Sequence, residues 1–103
     1  MPPDLWHIYL VRSADGKLYT GISTDVQRRF AEHGSDTKRG ARALRGKGPL
    51  QLVYQDKVGE RGLAQRLEYR LKRLPKAQKE HIVSSRTPAA QLARRLVDDE
   101  SSH

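Results

Sequence analysis

The run Ser13-Ala14-Asp15-Gly16 constrains this chain more than any other feature. Asp favours turn geometry through its side chain, and Gly takes positive φ without steric cost, so the run reads as a tight turn. Two short alternating segments flank it. Leu5 to Arg12 reads as a strand, with Trp6, Ile8 and Leu10 alternating against His7, Tyr9 and Val11. Leu18 to Ile22 reads as the return strand. With Ala14-Asp15-Gly16 as the loop, Tyr9 falls opposite Gly21 and Tyr19 opposite Val11, and the two tyrosines share one face as diagonal neighbours. A one-residue slip puts them on opposite faces, and the alternation is compatible with either register.

Thr24-Asp25-Val26-Gln27 then matches a capping box, with Thr24 as N-cap. The helix it opens pairs Val26 with Phe30 on one face and Arg29 with His33 on another, and Gly34 is its expected stop. Ser35 to Pro49 is a Gly-rich basic loop, and Leu50 to Lys57 reads as a third strand. From about Glu60 to Leu74, Leu63, Leu67, Leu71 and Leu74 form an apolar stripe, with Ala64 beside it. Glu68 sits on the flank of that stripe. Pro75 ends this helix. Lys76 to Val83 forms a short further helix, and Thr87-Pro88 starts the last, with Thr87 as N-cap, Pro88 at the first helical position and Leu92 and Leu96 facing the core. Asp98 to His103 reads as a disordered polar tail. The expectation is one domain over residues 1–97 of α+β class, a three-stranded antiparallel sheet flanked by helices.

The 103 residues hold no cysteine, which excludes disulfides and thiolate metal sites. No apolar run approaches the ~20 residues that span a bilayer, and the N-terminus lacks the pattern of a signal peptide. A soluble, cytoplasmic protein with no membrane partner is expected. The net charge is +8, and Lys38 to Lys79 alone carries thirteen Lys and Arg against Asp56, Glu60 and Glu68, a net of +10. Such a concentration favours a polyanionic partner, and nucleic acid above all.

Three residue types can carry chemistry. Tyr9 and Tyr19 stand ten positions apart on the hairpin, a spacing that ordinary strand aromatics also show. Arg28 and Arg29 are adjacent on a helix and point in different directions. Glu68 is the only acid between Arg61 and Lys79, and Lys72 four residues on is its ready ion-pair partner. The Gly46-Lys47-Gly48 run lacks the spacing of a phosphate-binding loop, and the histidines have no zinc spacing.

His7-Ile8-Tyr9 and, ten residues on, Tyr19-Thr20-Gly21 resemble the paired elements of the GIY-YIG nuclease superfamily. Arg29 falls eight residues after Gly21 and His33 four beyond it, as in that family. Leu63-Ala64-Gln65-Arg66-Leu67-Glu68 resembles its glutamate helix, and Gly46-Lys47-Gly48-Pro49-Leu50 resembles the strand entry of its small bacterial single-domain members. The resemblance implies metal-dependent hydrolysis of phosphodiesters, of DNA in preference to RNA. It implies Tyr9, Tyr19, Arg29, His33 and Glu68 as the catalytic set. Glu68 would hold a single divalent ion, Mg²⁺ or Mn²⁺, Arg29 would stabilise phosphate charge, and Tyr9 or Tyr19 would orient or deprotonate the attacking water. His33 would hydrogen-bond the site or the phosphate. Lys38, Arg39, Arg42, Arg45 and Lys47 of the loop, with Arg28 and Arg66 on the helices, are the expected nucleic-acid contacts. Four positions depart from the family pattern. His7 and Thr20 replace the glycine and isoleucine of the two elements. Ile22 stands where repair-type members carry lysine, and no asparagine follows the glutamate helix. The last two departures are also what a nucleic-acid binder with the same fold and little catalysis would show. A third reading gives the basic surface an acidic protein as partner.

Overall fold

The computed structural model describes residues 5–35 and 49–98, without the side chains of 32–35. Three strands form an antiparallel sheet in the order β2-β1-β3: β1 is Trp6–Arg12, β2 Leu18–Ser23 and β3 Gln51–Gly59. Four helices accompany it: α1 Val26–Ser35, α2 Arg61–Lys72, α3 Lys76–Ser85 and α4 Ala89–Ala93. The α+β class and the three-stranded sheet follow the sequence expectation.

The hairpin turn sets the register. Ser13 donates its backbone N–H to Lys17 (2.9 Å), Gly16 donates to Ser13 (2.9 Å), and Gly16 takes φ 85°, a value that only glycine adopts freely. The loop is therefore Ala14-Asp15-Gly16, and Tyr9 pairs with Gly21 and Val11 with Tyr19. Of the two registers, this one places both tyrosines on one face.

Alternation along β1 divides the core into two layers. Ile8 and Leu10 join Tyr54, Leu67, Leu71, Ile82, Leu92 and Val97 on the side of α2, α3 and α4. Tyr9 and Val11 join Val26 of α1 on the other side, with Phe30, Leu50 and Leu52 against them. Burying Ile8, Leu10, Leu67, Leu71 and Val11 completely supplies the main apolar driving force of a domain this small.

The helix ends differ from the sequence reading in four places. Asp25, and not Thr24, caps α1: its Oδ1 accepts from Arg28 N (3.1 Å), and its own N–H donates to Ser23 Oγ (2.9 Å). Gly34 does not stop α1, which runs to Ser35. Thr87 does not cap α4. Its hydroxyl pairs with Ser85 Oγ (2.7 Å), Pro88 holds the cap position, and Asp56 Oδ2 from β3 accepts from Ala89 N (2.7 Å). Beyond Ala93 the chain does not fray: Arg94–Asp98 forms a π-helical turn. Its extra residue per turn puts Val97 in the core and leaves Leu96 only partly buried. Asp98 thus belongs to this turn and not to the tail, while residues 99–103 lie outside the described part.

Long-range polar contacts tie β1 and β3 to the C-terminal helices. The buried Tyr54 hydroxyl donates to the Thr87 carbonyl (2.5 Å). Burial, helped by Asp56, pushes this phenol up to about 12, so it remains a donor across physiological pH. Arg12 at the end of β1 makes a two-pronged pair with Glu80 of α3, at 2.6 and 2.8 Å. Hydrogen bonding from Arg12 holds the Glu80 carboxyl below its usual range. A lowered folded-state pKa contributes stability above the unfolded value, about 4.3 for glutamate, and loses it as pH falls through the folded value. Glu80→Gln is therefore expected to flatten the acid limb of a urea-midpoint-against-pH curve below about pH 4.3. An unchanged acid limb would show that the pair contributes nothing to stability.

Candidate active site

Tyr9 is buried (4 % exposed), and the hydroxyl end of its ring lies against Gly21 on β2. A Cβ at Gly21 would overlap Tyr9 Cζ and Oη, so glycine is required here by close approach. Gly21→Ala is expected to destabilise the domain by ~1–3 kcal/mol through overpacking and to displace the Tyr9 ring. A denaturation midpoint equal to the parent's would show that the ring can yield freely. Tyr19 lies on the same face, one diagonal step away, and is partly exposed.

Arg29 projects from α1, which packs through Val26 on the tyrosine face. It is partly exposed, whereas Arg28 is exposed. His33 lies one helical turn beyond Arg29, and its side chain is among those not described. Lys38, Arg39, Arg42, Arg45 and Lys47 lie outside the described residues altogether. Glu68 stands on α2, which buries Ala64, Leu67 and Leu71 against the opposite face of the sheet. Arg29 and Glu68 thus come from helices on the two faces. Both helices touch edge strand β2, and both also pack on β1, α1 against Tyr9 and Val11 and α2 against Ile8 and Leu10.

Glu68 keeps 23 % of its side chain exposed, and Lys72 Nζ lies 3.6 Å from Oε2. The i, i+4 ion pair read from the sequence is present. A partly solvent-exposed i, i+4 pair of this kind is worth about 1 kcal/mol or less, so a competing cation can displace Lys72. Among the described residues no set of three or more His, Asp or Glu side chains gathers as a metal cage. A lone carboxylate suits Mg²⁺ or Mn²⁺ all the same, because such an ion keeps several waters and takes further oxygens from substrate phosphate. Arg66, two positions before Glu68, points about 200° away around the helix. The fold does not bring these two residues together.

Two of the four family departures carry unpartnered atoms. His7 Nδ1 and Thr20 Oγ1 are buried without a hydrogen-bond partner among the described residues. The sequence reading also passed over Arg61, whose guanidinium lies 5.5 Å from the Trp6 ring, and Tyr69 with its two arginines. Helical spacing held the signal for the second: Arg73 is four residues beyond Tyr69, on its outward face.

Among the described residues no helix is long and apolar enough to cross a membrane. The family model of the GIY-YIG catalytic domain matches residues 5–81. A UPF0213 protein of Klebsiella pneumoniae is 53 % identical over 94 residues, covering 91 % of this chain and 87 % of the relative. The UPF0213 protein YhbQ of Escherichia coli K12 is 55 % identical over 87 residues, covering 84 % and 85 %. The solution structure of a UPF0213 protein from Bacillus halodurans superposes with a TM-score of 0.52 at 34 % identity, over 90 % of this chain and 97 % of that one. With the family model covering residues 5–81 and relatives more than half identical over most of the chain, this chain belongs to the GIY-YIG catalytic-domain family, a superfamily of nucleases.

Proposed function

We propose that this protein hydrolyses phosphodiester bonds of nucleic acid, DNA in preference to RNA, at a site formed by Tyr9, Tyr19, Arg29, His33 and Glu68. The observation that carries this reading is the hairpin register, which puts both tyrosines on one face beside the helix that bears Arg29. Glu68 holds the divalent ion. When bound, that ion supplies Lewis-acid polarisation of the phosphate and charge for the leaving oxygen. The Arg29 guanidinium donates to the non-bridging oxygens and strengthens as negative charge develops on them. Tyr19, the more exposed of the two phenols, meets the attacking water. Tyr9, pinned against Gly21, fixes the floor on which that water sits. His33 adds a hydrogen bond to the phosphate. Arg28, Arg66 and the basic run Lys38, Arg39, Arg42, Arg45 and Lys47 hold the backbone without reading sequence.

End-labelled single-stranded, duplex, nicked and branched DNA, with RNA beside them, test this directly. Product that needs Mg²⁺ or Mn²⁺ and disappears with chelator is expected. Salt-sensitive binding with no product from any substrate would instead favour a binding module, the reading that Ile22 and the missing asparagine support.

A further inference from the structure

Leu67 points fully inward, so Tyr69, two residues on, points about 200° away, straight into solvent. Tyr69 is 55 % exposed, more than any other large hydrophobic residue among the described residues. Cations surround it. Arg73 Cζ lies 5.3 Å and Arg70 Cζ 5.6 Å from the ring centroid, and Arg73 Nη1 donates to Tyr69 Oη (3.1 Å). Arg66 and Lys72, three residues to either side, are also exposed neighbours on this surface. The ring adds nothing to the core. What it offers is a flat π surface held in place by guanidinium groups, on a helix face rich in phosphate-binding charge.

We propose that Tyr69, with Arg70 and Arg73, is a stacking subsite that holds an unpaired nucleotide next to the cut. Bases stack on exposed aromatic rings and on guanidinium planes whatever their sequence, while the basic groups around them take the phosphates. A base inside a duplex has both faces covered and cannot use the ring. A membrane surface is a poor fit, because Gly62, Gln65 and Arg66 on the same face add no apolar area to the single ring. Tyr69 directly follows Glu68, so the subsite lies one residue from the proposed metal-holding carboxylate, and in that respect it rests on the nuclease reading. It would fix which strand, and which stretch of it, is presented for cleavage.

The test is binding in chelator, where no strand is cut. The probes are a short single-stranded oligonucleotide carrying a fluorescent adenine analogue and a duplex of the same sequence. Wild type, Tyr69→Ala, Tyr69→Trp and Arg73→Ala are compared, with a thermal melt of each. Tyr69→Ala is expected to weaken single-strand binding about tenfold, within the range for losing one stacked base. It should also abolish the quenching of the analogue, leave duplex binding unchanged, and keep the salt slope of the wild type. Tyr69→Trp should keep the affinity and the quenching. Arg73→Ala should lower the single-strand salt slope by about 0.7, the value for one phosphate contact. Unchanged single-strand affinity in Tyr69→Ala would overturn the subsite, as would an equal loss for duplex and single strand, or failure of Tyr69→Trp to bind while it melts like the wild type. Quenching that depends on Tyr69 in a protein that cleaves nothing would leave the subsite standing and sink the nuclease reading. Metal-dependent cleavage with Tyr69→Ala binding as wild type would do the reverse, and no binding of either strand by wild type would sink both.

Discussion

Arg29→Ala is expected to slow single-turnover cleavage by about 100- to 1,000-fold, the usual cost of removing one charge-stabilising donor from a phosphoryl or acyl transition state. Protein stability should change little. The core contacts of α1 are made by Val26 and Phe30, and Arg29 is partly exposed beside them. Substrate binding should weaken only modestly, because many other cations are proposed to contact the backbone, whereas the rate falls where charge develops. Arg29→Lys should recover only part of the loss, since an ammonium keeps the charge without the planar fork that matches two phosphate oxygens. Rapid-quench cleavage under saturating protein separates rate from affinity. A rate for Arg29→Ala within threefold of the parent would remove Arg29 from the catalytic set.

Leu67→Ala is expected to cost ~2–5 kcal/mol, the range for deleting a fully buried leucine and leaving a cavity. Leu67 has no exposed surface and lies in the layer shared by Ile8, Leu10, Leu71 and Ile82, so the cavity would open in a layer built from β1, α2 and α3. Against a typical total of ~5–15 kcal/mol, such a loss leaves the domain marginal. Glu68 is the next residue, so the same substitution should loosen the helix that carries the proposed metal ligand. Urea denaturation at neutral pH checks this. A midpoint close to the parent's would mean that the layer repacks around the gap.

Much of this fold is legible in the amino-acid sequence because it depends on short-range rules. The Asp15-Gly16 turn marked the hairpin and the two strands on either side of it, while the choice between two registers, and so whether Tyr9 and Tyr19 share a face, came from the turn's own hydrogen bonds. The leucine spacing in α2 identified the buried stripe and put Glu68 on its flank with Lys72 in reach. Other features depend on what the tertiary fold brings together. Thr24 and Asp25 are both good caps, and the choice between them depends on the Ser23 hydroxyl accepting the Asp25 N–H. Asp56 caps α4 from 33 residues away, and Arg12 meets Glu80 across 68, distances over which helical and strand periodicity say nothing. The π-helical turn at Arg94–Asp98 breaks the 3.6-residue count, which had pointed to Leu96, partly buried against the core, and had passed over the buried Val97. At the site, residue types and order were readable from the chain. The placing of Arg29 and Glu68 on helices over opposite faces of the sheet, with β2 between them, was not, because it depends on how α1 and α2 dock.

The most direct test of the central claim is single-turnover cleavage by Glu68→Gln beside wild type, with binding followed in the same reactions. Glutamine keeps the shape and removes only the charge that would hold a divalent ion. Loss of Mg²⁺-dependent product with nucleic-acid affinity retained is the predicted result. Equal cleavage by both proteins, or product from wild type that persists in chelator, would contradict the account.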